Sequence, residues 1–151
     1  MNRMETSAYK YAFDVEIAAT VERVWKTLTL QIGTWWPSHF NSSEETKQFV
    51  LEPRVGGRMF EDLGGDDGVL WGTVVSFQTN KQLQIQGPMF PDYGGPGAYI
   101  LKLELQPNEA GCRLLVSDSM YGHVSEETLE STQAGWKVLF GEHLKHAAEA
   151  D

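Results

Sequence analysis

Tyr9-Lys10-Tyr11-Ala12-Phe13-Asp14-Val15-Glu16-Ile17 alternates apolar and polar side chains and runs through Ala18-Ala19 into Thr20-Val21-Glu22-Arg23-Val24-Trp25. The period of two predicts a strand with one buried face. Thr20 is placed to cap the helix that follows, although Arg23 stands where a full capping box carries Glu or Gln. Val21, Val24, Trp25 and Leu28 set an apolar stripe at helical spacing. Gly33 ends that helix, and Pro37 leaves room for only a short second one around Trp35-Trp36.

From there to residue 121 the chain reads as strands and turns. Alternation and punctuation predict strands near 49–52, 58–63, 69–77, 82–86, 98–106 and 111–121. Pro53-Arg54-Val55-Gly56-Gly57, Asp66-Asp67-Gly68 and Pro107-Asn108-Glu109-Ala110-Gly111 supply turn chemistry between them. Gly87 to Gly97 carries three prolines and four glycines and is expected to be an irregular, mobile flap. A last helix opens at Ser125, a good N-cap, and runs beyond 145. Its buried stripe is Leu129, Trp136, Leu139, Phe140, Leu144 and Ala147. A strand and short helices at one end, strands throughout the middle and one long helix at the other end predict an α+β fold. A curved antiparallel sheet grips the last helix and can enclose an apolar hollow. Gly135 would leave space on the sheet-facing side of that helix.

At 151 residues the chain fits one domain, 1–151, and can bury roughly 68–70% of its unfolded surface without disulfide or metal. The lone Cys112 lies in an alternating apolar run and reads as a small core residue in a reducing interior. Met1 to Ser7 lacks the apolar core of a signal peptide, and no run approaches the roughly 20 residues of a membrane span. A cytoplasmic protein without membrane insertion is expected. The net charge of −9, with scattered Lys and Arg, argues against nucleic acid and anionic membranes as partners.

The sequence resembles the helix-grip superfamily, also called SRPBCC, START-like or Bet v 1-like. Within it the chain is most similar to the family named for activators of the 90-kilodalton heat-shock-protein ATPase. The resemblance rests on Ala19-Thr20-Val21-Glu22-Arg23-Val24-Trp25, Leu51-Glu52-Pro53-Arg54-Val55-Gly56-Gly57-Arg58, Gly72-Thr73-Val74 and Gly135-Trp136 with Leu139. It implies a strand, two short helices, six further antiparallel strands and a long C-terminal helix over the concave sheet. The superfamily uses its cavity for lipids, sterols and other apolar molecules, and a minority of members catalyse reactions there. The co-chaperones that give the family its name carry a separate N-terminal domain for which this chain has no room. A chaperone partner is therefore a lesser alternative.

The expected ligand site comprises Trp35, Trp36, Met59, Trp71, Met89, Tyr99, Gly135, Trp136, Leu139 and His143, an adaptable apolar wall with one polar handle. The same aromatics could equally be plain core. Adjacent Trp35 and Trp36 cannot both face one core from a short helix, so one ring should reach the cavity mouth or a partner. His143 and His146 share a helix face, but no third metal ligand accompanies them. His39 and His123 lack a nucleophile to activate. Arg58 suits a surface ion pair or a clamp at the pocket mouth. No residue is assigned a catalytic, cofactor or metal role. The sequence predicts a binder of a small, largely apolar molecule, with an enzyme acting on such a molecule, cyclase- or hydrolase-like, as the alternative.

Overall fold

The computed structural model describes residues 1–150. Seven strands, β1 (Ser7–Ile17), β2 (Gln48–Leu51), β3 (Arg58–Gly64), β4 (Asp67–Gln78), β5 (Gln82–Met89), β6 (Gly97–Asn108) and β7 (Gly111–Gly122), form one sheet. Its order is β1-β7-β6-β5-β4-β3-β2, with every pair antiparallel. Register shifts between Met59 and Phe60 in β3 and between Val74 and Ser76 in β4 mark bulges, which bend strands. Between β1 and β2 lie α1 (Val21–Leu28) and α2 (Ile32–Trp35). The chain closes with α3 (Glu126–Val138), a π-helical segment (Leu139–Leu144) and α4 (Lys145–Glu149), which follow one another without a break. This is the helix-grip architecture.

The alternation does what period two requires. Tyr99, Leu101, Leu103 and Leu105 of β6 and Cys112, Leu114, Val116 and Met120 of β7 are buried on one face. Thr20 and Ser125 cap their helices, each hydroxyl accepting from the amide three residues on. Arg23, the residue that spoils the capping box, has a different task. Its guanidinium donates to the carbonyls of Ala148 (2.6 Å) and Ala150, satisfying the end of the last helix. Glu149 in turn accepts from the Ala18 amide at 2.8 Å, so the last helix is tied to the connection that follows β1.

Three local expectations are corrected. The irregular stretch is shorter than Gly87–Gly97: Gly87, Pro88 and Met89 belong to β5, opposite Tyr99, Ala98 and Gly97. The β4 ladder on β5 ends at Thr73 opposite Gln86, so Pro88 lies beyond the stretch paired on both sides. The turn between β3 and β4 is made at Gly65-Asp66, with Gly64 and Gly65 at positive φ, and Asp67-Gly68 already belongs to β4. Trp35 and Trp36 are both buried, each 9% exposed. The backbone turns extended at Trp36, so that ring leaves the helix direction and stacks on Phe49 at 3.6 Å.

Candidate functional site

Gly135 lies on the sheet-facing side of α3, where a side chain would meet only the edge of Phe40, at 3.6 Å. The room left there belongs to a cavity of about 390 Å³ between the helix and the sheet. Of the residues expected from sequence, Trp71, Met89, Tyr99, Gly135, Trp136 and Leu139 line it. Trp35, Trp36, Met59 and His143 do not. Trp35 is tied inside the core by its indole, which donates to the Thr27 carbonyl at 2.7 Å, and the Trp36 indole donates to Asn41 Oδ1. Met59 is a buried core residue. The lining stripe of the last helix ends at Leu139. Beyond it the helix passes β1, where a side chain at Gly141 would reach Val15, and the half-buried His143 lies beside His39, 6.4 Å between ring centres.

Several wall residues went unforeseen. Phe40 and Ser42 come from the segment after α2, Leu70 from β4, Tyr93 from the β5–β6 connection, Met120 from β7 and Thr132 from α3. Leu70 and Tyr93 are exposed as well as lining, as is Phe90, so the opening has an apolar rim. Arg58 takes no part: it pairs with Glu52 at 2.7 Å on the surface and covers Phe60.

Two buried carboxylates stand directly behind this wall. Glu61 of β3 accepts from Trp71 Nε1 (2.6 Å), the Thr46 hydroxyl (2.6 Å), and the amide (3.0 Å) and hydroxyl (2.9 Å) of Ser42. Burial by itself would raise its pKa, but these donors outweigh burial and hold the carboxyl below the usual glutamate range. The bonds also fasten the Ser42–Thr46 segment to the sheet. Asp118 of β7 lies opposite Tyr11 of β1; its Oδ2 accepts from the Tyr11 hydroxyl (2.7 Å) and Trp136 Nε1 (3.2 Å). Its Oδ1 is buried without a partner. Here burial prevails and raises the carboxyl above the usual aspartate range. Burial and the Asp118 charge push the Tyr99 phenol up as well, and its hydroxyl donates to the Trp71 carbonyl at 2.7 Å. The two carboxylates thus each hold one indole, and the Trp71 and Trp136 rings meet edge-on at 6.3 Å.

Both acids carry a signal in the sequence itself. Glu61 follows Met59 by two residues, and Asp118 sits between Val116 and Met120. An acid on the apolar face of an alternating strand is a buried charge that must be paired or hydrogen-bonded.

Among the described residues, no group of His, Cys, Asp and Glu is arranged to hold a metal, and no helix is long and apolar enough to cross a membrane. Cys112 is buried and its thiol is pushed up by that burial.

Residues 18–149 match the family described as Activator of Hsp90 ATPase homolog 1-like protein. Among curated proteins, none matches this sequence. Similar solved structures include an uncharacterised protein from Rhizobium leguminosarum, at 11% identity and TM-score 0.75, covering 99% of this chain and 100% of that one. Protein CV1439 from Chromobacterium violaceum is similar at 21% identity and TM-score 0.64, covering 94% of this chain and 98% of its own. Ara h 8.0201 is similar at 8% identity and TM-score 0.68, with 94% and 98% covered. At these identities the likeness carries the fold alone.

Proposed function

Since this chain belongs to the Activator of Hsp90 ATPase homolog 1-like family, we propose that it holds a small, largely apolar molecule in the hollow between its sheet and its last helix. The observation that carries this reading is the cavity at Gly135. Its 390 Å³ falls within the range of small-molecule sites, about 300–1,000 Å³. Aromatic rings and methionines dominate its wall, with an apolar rim through which such a molecule would enter.

Holding is favoured over turnover by the character of that wall. Its ionisable groups are the phenols of Tyr93 and Tyr99, and Tyr99 is already committed to the Trp71 carbonyl. Glu61 spends its hydrogen-bonding capacity on Ser42, Thr46 and Trp71, and neither it nor Asp118 lines the cavity. We place the protein in the cytoplasm, where a single buried thiol needs no partner. Native mass spectrometry of protein purified from its own host tests the reading. A bound small molecule at one per chain, lost when the protein is denatured, is the expected result. A co-purifying protein subunit in place of a small molecule would contradict it.

A further inference from the structure

The wall of the cavity is not electrically neutral in its effect. Trp71, Trp136, Tyr99, Phe40 and Tyr93 present π-systems, whose faces attract positive charge. Behind them, and outside the lining itself, stand Glu61 and Asp118, each accepting an indole N–H. A hydrogen bond from an indole N–H to a carboxylate shifts electron density toward the ring, which strengthens that attraction. Among the described residues, no Lys, Arg or His side chain lines the cavity to oppose it. The Ser42 hydroxyl leans the same way, since it donates its proton to Glu61 and leaves only lone pairs toward the cavity. An anionic head would be opposed by the field of Glu61 and Asp118 from behind the wall, with no cation in the lining to offset it. A positive one would meet aromatic rings and the field of the carboxylates behind them, which acts more strongly through the protein interior than through bulk solvent.

We propose that the ligand held in this cavity is a cationic apolar molecule, an amine protonated or quaternised at one end of a hydrocarbon or aromatic body. The inference rests on the reading of the cavity as a ligand site and adds the charge of the occupant. Glu61 sets the preference most firmly, because its donors keep it ionised. Asp118 contributes through the field at Trp136 and Tyr99.

Three probes sharing one eight-carbon chain separate the possibilities by isothermal titration calorimetry: octyltrimethylammonium, 1-octanol and octanoate. The expected order is cation, alcohol, anion, with the cation bound about tenfold more tightly than the alcohol, as desolvated cation–π contacts allow. The ratio of cation to alcohol affinity should fall in Glu61→Gln and in Asp118→Asn, each checked for a native circular dichroism spectrum. Using the ratio removes any general loosening of the site, and having two variants covers the case in which one does not fold. Octanol or octanoate binding as tightly as the cation would overturn the inference and leave the cavity reading standing. A cation preference unchanged in both variants would overturn the assignment to these carboxylates. Failure of all three probes to bind would overturn the cavity reading itself, and this inference with it.

Discussion

Glu61 and Asp118 both lie without exposed surface, Asp118 the more deeply set, and each accepts the N–H of one cavity tryptophan. They nevertheless titrate in opposite directions. Glu61 receives donors from Ser42, Thr46 and Trp71 on both oxygens, and its pKa is lowered. Asp118 has Tyr11 and Trp136 on one oxygen and nothing on the other, and its pKa is raised. Asp118 is set deeper and has fewer donors aimed at it, and depth and donors together set the charge of a buried acid.

The largest effect expected from breaking this pair of arrangements is at Trp136. Trp136→Ala removes a buried ring that stacks on Phe140 and also strips Asp118 of a donor. It should lower stability by about 3–5 kcal/mol. Trp71 is only half-buried, so Trp71→Ala should cost less. Urea denaturation of the two variants ranks them, and a loss below about 1 kcal/mol at Trp136 would mean an exposed ring.

Next in size is the contrast between the acids themselves. Glu61→Gln sets an amide NH2 among hydroxyl, amide and indole donors, and about 1–3 kcal/mol should be lost at neutral pH. Exchange of the Ser42 amide hydrogen should quicken as its acceptor weakens. Asp118→Asn removes a charge that burial already disfavours, so its loss should be smaller. Equal losses would remove the distinction drawn between the two sites.

The pH response sharpens the same comparison. Glu61 has a lower pKa folded than unfolded, so its contribution is complete above the unfolded value of about 4.3 and vanishes as pH falls through the folded value. Asp118 has a higher pKa folded than unfolded. Its contribution is complete below the unfolded value of about 3.9 and is lost as pH rises through the folded value. Denaturation between about pH 3 and 7 should show the acid-side decline flattened in Glu61→Gln and the decline with rising pH flattened in Asp118→Asn. Parallel curves for both variants and the wild type would contradict these assignments.

The sheet, its seven strands and the gripping helix were legible because they rest on periodicity: Tyr9 to Ile17 and Tyr99 to Leu105 alternate plainly, and Ser125 announces the last helix. The cavity was legible in part. Gly135, Trp136 and Leu139 share a helix face, and Trp71 and Tyr99 follow from strand alternation. Phe40, Ser42 and Tyr93 were not legible, because they come from short 3₁₀ turns and connections whose direction no period fixes. The paired burial of Trp35 and Trp36 depends on a single extended residue ending α2. The π-helical turn at Leu139–Leu144 likewise has no local sequence signature.

The central claim, that the hollow at Gly135 is where a ligand sits, is tested most directly by filling it. A side chain at Gly135 starts in ordinary contact with Phe40 and is not strained by its backbone, so Gly135→Leu can be accommodated while occupying the cavity. An environment-sensitive apolar dye should bind the wild type at one per chain. The account predicts that Gly135→Leu takes up the dye at least about tenfold more weakly, with an unchanged far-ultraviolet circular dichroism spectrum. Equal uptake by the two proteins would place the binding elsewhere and contradict it.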